Sequence, residues 1–331
     1  MLSAPLFESV LLLVALVLLG VFLRARGVIN EEHGPVLSRL VMEVTLPALI
    51  ISALMQAPLE WVYAELALVM FGAEMISLLL AWILARLLRL GPAQAAVVIL
   101  TASFNSSSLL GYPVIANVFS NDPAALTEAA IISVLGVGPA LLTIGTLIAI
   151  YLGKKAEMAK GPLAGRPASA AMQTSPLHAA LDFFRSPIFI SLCIGLVWSV
   201  TDLPDDGPVI GTALRALDLV ASANSFLVAL IVGLSLRFQG LRTMLWAGLG
   251  VALITLILKP IFVWLPSLAL SLTPMQLEVL IIEAAMPSAL LAVVLARRYG
   301  CDAELASKLV LVTSLGCVVS ILVMSKLLWP I

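Results

Sequence analysis

The sequence predicts an all-α, multi-pass membrane protein whose ten transmembrane helices form two inverted five-helix repeats. Three observations carry that expectation: an apolar composition, basic residues confined to alternate connections, and two Pro-interrupted spans at matching places in the halves. Hydrophobic residues make up 62% of the 331 and charged residues 11%, with a mean hydropathy of +1.14. A soluble domain averages about 45–50% apolar and about 25% charged. The net charge is −1 and the basic residues are scattered, so no nucleic-acid partner is expected. Cys193, Cys301 and Cys317 have no pairing or metal spacing and lie in or near apolar segments, which reads as buried, inert thiols.

Segments long enough for a bilayer run over 6–23, 36–55, 62–86, 92–119, 127–152, 187–202, 216–236, 243–270, 274–296 and 303–328. The first has no basic residue before it and no small-residue cleavage site, so it reads as a retained span. Residues 153–186 hold "GKKAEMAKGPLAGRPASAAMQTSP". This Gly/Pro/Ala-rich linker has little to bury, and it separates a first half, 1–152, from a second, 187–331.

Basic residues mark the odd-numbered connections. Arg24, Arg26 and Arg39 flank the first, and Arg86 and Arg89 the third. Lys154, Lys155, Lys160, Arg166 and Arg185 lie in the fifth, Arg237 and Arg242 in the seventh, Arg297 and Arg298 in the ninth. The even connections carry almost none, and one of them, "TDLPDDGP", is acidic. The positive-inside rule then places the odd connections and the linker in the cytoplasm and both termini outside. The expected location is the plasma membrane or a bacterial inner membrane.

Residues 121–138, "NDPAALTEAAIISVLGVG", align with 301–317, "CDAELASKLVLVTSLGC", so that Asp122 meets Asp302 and Gly136 meets Gly316. Each segment follows a Pro-interrupted span and ends its half. Five spans per half make the second half enter upside down, the pattern of transporters with a site near the bilayer midplane.

The interruptions are "SLLGYPV", 108–114, preceded by Asn105, Ser106 and Ser107, and "EAAMPSALL", 283–291. Pro113 and Pro287 each remove a backbone donor. Freed backbone groups at this depth must be buried in protein or line a wet cavity. Both prolines suit the first turn of a new half-helix, whose N–H groups and positive dipole end then favour an anion, most simply a carboxylate. Asn105, Ser106, Ser107, Gly111, Tyr112 and Ser288 are the candidate contacts beside the prolines. Pro47, in "VTLPALIISALM", reads either as a kink in a packing helix or as part of the site.

Ionisable residues inside spans are costly and point to function. Glu283 lies one turn before Pro287, at the negative end of its half-helix. Relief can come from a proton, a cation or a partner. Lys259 is the candidate partner, since both fall roughly 10 Å below the outer surface at about 1.5 Å per residue. A structural ion pair and a coupling role stay open for it. Glu74 and Glu43 are further candidates for coupling. Glu8, Glu128, Asp218 and Lys326 are expected to snorkel to the interface.

"VTLPALIISAL", "LLGYPV" and above all "EAAMPSALLAVVLARRYGCDAELAS" resemble the auxin efflux carrier family, which includes plant auxin exporters and bacterial malate permeases. The resemblance covers most of the chain in order, except for the linker and the sixth span. It implies crossed broken helices 4 and 9, a scaffold of helices 1, 2, 6 and 7, and a moving transport domain of helices 3–5 and 8–10. It further implies carriage of small organic anions, often by an elevator-type homodimer. The family's fourth span reads Asn, four residues, Gly, any residue, Pro. Counting back from Pro113, that Asn falls on Ser106, with Asn105 one place early. Glu283 stands where many relatives carry Gln, and Ser225, in "SANSFLVALIVGLSL", where relatives commonly carry Pro.

Two functions follow as alternatives. The first is a secondary transporter of small organic anions working by alternating access, with Pro47 and Ser225 closing the site from the scaffold. The second is a sodium- or proton-coupled cation carrier of the same architecture, with Glu283 or Glu74 holding the cation. An enzyme is not expected, because the only histidines, His33 and His178, lie in connections and no catalytic or metal-ligand pattern falls within the spans. A phosphate-binding glycine loop is likewise lacking. No cofactor or metal is expected, and lipid is the other partner. A receptor that binds without translocating is the remaining alternative.

Overall fold

A computed structural model describes residues 15–56, 61–159, 185, 187–201, 208–235 and 245–328. The start of the expected first span, most of the 153–186 linker, and Arg237 and Arg242 lie outside the described residues. Among those described the chain is all helix, without a strand. The helices are α1, Ala15–Ala25; α2, 34–56; α3, Trp61–Leu87; α4, Pro92–Ser103; α5, 107–118; and α6, Pro123–Ala159. They continue as α7, Pro187–Thr201; α8, Pro208–Ser235; α9, Leu245–Ser267; α10, Pro274–Ala284; α11, Leu291–Arg298; and α12, Ala303–Leu328.

Among the described residues, five helical stretches are long and apolar enough to cross a membrane: α3, α6, Ile210–Ile231 within α8, α9, and Ala303–Ile321 within α12. Others are apolar but shorter, among them α1, α4 and α7. The apolar side chains do not all point inward. Trp61, Leu68, Val197, Val200, Leu219 and Trp246 are exposed, as expected where lipid rather than water is the solvent. Arg86 stacks on the Trp82 ring at 4.7 Å near the end of α3, the aromatic-and-basic anchoring found at membrane interfaces.

The helices pack in two groups. In the first, α2 lies against α7 and α8, and α1 joins through Gly20, whose Cα faces the backbone of Leu230 and Gly233. Gly195 of α7 is pressed on Leu54 of α2 in the same way. Small residues let such backbones approach where no hydrophobic force separates helix from lipid. In the second group, α3 packs on α4, α6 and α9, and α12 on α4, α9 and α11. The largest apolar cluster joins the groups, running from Leu46, Ile50 and Leu54 through Met70 and Ile132 to Ile115 and Leu280.

The residues matched between the halves play matched parts. Asp122 Oδ1 accepts from the Ala124 N–H at 2.8 Å and starts α6, while Asp302 Oδ1 accepts from the Leu305 N–H at 3.0 Å and starts α12. Gly136 sits on Ala67 and Met70 of α3, and Gly316 on Leu256 of α9.

Three expectations are corrected. α6 begins at Pro123, not 127, so Glu128 is carried into the core and is fully buried instead of snorkelling. The same helix runs past 152 to Ala159 because Gly153 lies directly against the Tyr299 carbonyl and anchors its last turns. Cys193 is exposed on an apolar face of α7, Cys301 half-buried, and only Cys317 buried.

Candidate functional site

The two interrupted spans cross. α4 ends at Ser103 and α5 begins at Ser107; α10 ends at Ala284 and α11 begins at Leu291. Between them, Asn105 and Ser288 form an antiparallel bridge. The Ser106 N–H donates to the Pro287 carbonyl at 2.7 Å, and the Ala289 N–H to the Phe104 carbonyl at 2.9 Å. A helix end leaves its last four carbonyls without partners; for α4 these come from its own C-cap, from Ser288 of the crossing and from α9. Leu100 O accepts from the Phe104 N–H at 3.2 Å. Thr101 O accepts from Ser288 Oγ at 2.6 Å, Ala102 O from Thr255 Oγ1 at 3.1 Å, and Ser103 O from Lys259 Nζ. On the other arm, Asn105 Nδ2 donates to the Glu283 carbonyl at 2.6 Å, and Cys317 Sγ to the Ala285 carbonyl at 3.5 Å.

Pro113 falls in the first turn of the α-helix Tyr112–Val118, as expected, whereas Pro287 does not start its half-helix. Pro287 lies inside the extended crossing rather than in the first turn of α11. Its carbonyl serves the Ser106 N–H, and its missing donor costs nothing in an extended segment. Pro113 follows a π-turn, Ser107–Gly111, that opens α5. Such one-turn insertions recur at functional sites.

Asn105, Ser106, Ser107, Gly111, Tyr112, Pro113, Glu283, Pro287 and Ser288 are all buried and brought together at the crossing. Asn105 Oδ1, Ser106 Oγ and both Glu283 carboxyl oxygens have no hydrogen-bond partner among the described residues. The Ser107 hydroxyl lies beside Glu283 and shares a 2.7 Å bond with Ser133 Oγ. The Glu283 carboxyl rests on Gly111: a Cβ there would stand 2.8 Å from the carboxyl carbon and 2.9 Å from Oε2.

Lys259 does not pair with Glu283. Its ammonium bonds to Glu74 Oε1 at 3.1 Å, with both side chains fully buried, and to the carbonyl that ends α4. Counting residues along each segment pairs Lys259 with Glu283, but the face that Lys259 turns from α9 meets α3 and the end of α4. Glu43 is exposed and lies 3.8 Å from Arg39. Pro47 is buried in α2, two residues after Thr45, whose Oγ1 donates to Asn224 Oδ1 of α8 at 2.9 Å. Ser225 follows Asn224 in α8, which packs against both α2 and α5; its side chain lies outside the described residues.

Four further polar residues, three of them at the crossing and Asn224 in α8, are not among the sequence-predicted contacts. Ser133 bonds to Ser107, and Thr313 Oγ1 accepts from the Ser288 N–H at 3.2 Å. These two stand opposite each other in the alignment of 121–138 with 301–317, which is the signal that could have found them. Thr255 and Asn224 had only their polarity within apolar runs to mark them.

A family described as membrane transport protein matches residues 5–325 of the chain. An uncharacterized transporter of Methanothermobacter thermautotrophicus is 28% identical over 317 residues, covering 95% of each chain. One from Methanocaldococcus jannaschii is 25% identical, over 93% of this chain and 94% of its own. One from Escherichia coli is 23% identical over 93% of each.

Proposed function

This chain belongs to the membrane transport protein family, and from that premise we propose that it is a secondary active transporter of small organic anions. The observation that carries the reading is the antiparallel crossing of the two broken spans, with Asn105 Oδ1 and Ser106 Oγ buried and unpartnered among the described residues. α5 and α11 both start from that crossing, so their N-terminal N–H groups and positive dipole ends favour a carboxylate there. The nearest cation, Lys259, is already neutralised by Glu74. A polyphosphate would need arginines, and neither break carries one.

In this proposal the chain has ten spans in two inverted repeats. The matched caps at Asp122 and Asp302 and the matched bonds of Ser133 and Thr313 support the repeat. The group α3–α6 with α9–α12 carries the crossing and moves against the group α1, α2, α7 and α8, which supplies Pro47 and Asn224 to close it. A homodimer through the group α1, α2, α7 and α8 is part of the proposal. A second reading, a cation carrier on the same frame, is favoured by one observation: the unpaired carboxyl of Glu283.

The test is thermal melting of the purified protein with malate, indole-acetate, inorganic anions or sodium. A ligand at 100 times its Kd stabilises the folded state by about 2.7 kcal/mol. The expected result is a higher melting temperature with one carboxylate. That shift disappears in Pro287→Ala and in Asn105→Ala with Ser106→Ala, while the protein stays monodisperse. Stabilisation by sodium alone selects the cation carrier.

A further inference from the structure

The Glu283 carboxyl is the unbalanced charge of the crossing. The last turn of α10 carries it into the protein, fully buried, and neither oxygen completes a hydrogen bond among the described residues. The groups on every element packed around it are known. α5 brings Ser107 and the phenol of Tyr112. α6 brings Glu128, another acid. α9 brings Lys259, held by Glu74 of α3 and by the Ser103 carbonyl. α12 brings Cys317, which donates to the Ala285 carbonyl.

None of these is a cation left over for Glu283. Burying a carboxylate without one costs several kcal/mol even after relaxation, and the negative C-terminal end of α10, which carries Glu283, offsets the positive N-terminal end of α5 on which its carboxyl rests. A metal-sized counter-ion needs a shell of oxygens, but one side of the carboxyl is occupied by the Cα of Gly111. A proton needs no space at all.

We propose that Glu283 is the proton-binding group of this carrier, and that the neutral acid is the form able to pack on Gly111 when the crossing is closed. The inference rests on the transporter reading above, since it assigns the coupling ion of the same site. The cycle balances simply. With the crossing open to one side, the Glu283 carboxylate takes a proton from hydronium, giving the acid and water. The closed, uncharged contact moves, and the proton passes to water on the other side. A monoanion carried together with that proton crosses with no net charge. Loss of the proton places a charge against Gly111 and the π-turn Ser107–Gly111, which releases the contact and loosens the start of α5.

The experiment is infrared difference spectroscopy of the purified protein without substrate, between neutral and alkaline pH, in water and in D₂O. The expected result is a carboxylic-acid carbonyl band at neutral pH that disappears on alkalinisation, is unaffected by sodium, and is missing in Glu283→Gln. Gly111→Ala, which presses on the same carboxyl, is expected to move either the band or the pH at which it disappears, and serves if Glu283→Gln does not fold. The proposal is overturned if wild type has no such band, if sodium abolishes it at constant pH, if it survives in Glu283→Gln, or if Gly111→Ala leaves it unmoved. Because no substrate enters this measurement, a failed anion screen and a failed proton assignment are separate results.

Discussion

Lys259→Met is expected to destabilise the protein by about 3–5 kcal/mol, the usual cost of removing one partner from a buried ion pair. Both side chains are fully buried and their charges lie 3.1 Å apart, so the variant leaves the Glu74 carboxyl without its counter-charge in a medium that cannot solvate the carboxylate. It also removes the donor from the Ser103 carbonyl, one of the four that end α4. Melting in detergent will show the loss as a lower midpoint. Lys259→Met combined with Glu74→Leu is expected to recover most of it, because an apolar pair of similar volume often replaces a buried ion pair without cost. The double-mutant cycle then gives a large coupling energy. A single variant that melts like wild type would mean that the pair holds nothing together.

Gly111→Ala is expected to cost about 1–3 kcal/mol as an overpacked core position, and to cost less when Glu283→Ala is present. A glutamate at the surface would swing aside from the new methyl group. Glu283 cannot, since it is fully buried and the Cβ would fall 2.8 Å from its carboxyl carbon. The strain therefore passes to the π-turn that begins α5. Melting of the two single variants and the double variant measures it. Costs that simply add would show that the two residues do not touch.

The crossing shows how much of a site can be read from a chain alone. Pro113, Pro287 and the polar run from Asn105 announce broken helices, because a missing donor and a freed carbonyl are local facts about one segment. Aligning 121–138 with 301–317 pairs Asp122 with Asp302, and each of them caps the start of a helix, α6 and α12. The same alignment held Ser133 and Thr313, whose bonds reach back to the breaks. The half-helix starts were less legible. A proline tolerates the first turn, a turn following a π-insertion and an extended segment alike, and only the crossing partner distinguishes these. Ser106 donates to Pro287 O, which holds that proline in the extended segment.

By itself, then, the sequence determined the medium the protein lives in, the helical class, the places where two spans break, and the polar side chains at those places. Each follows from hydropathy or backbone chemistry within one stretch of chain. Only the tertiary structure decided which charges meet. The sequence predicts a similar depth for Lys259 and Glu283, but an α-helix turns about 100° with each residue, so the partner of a buried side chain depends on the rotation of every helix about its axis. Packing sets that rotation, and here it gives Lys259 to Glu74 and leaves Glu283 on Gly111.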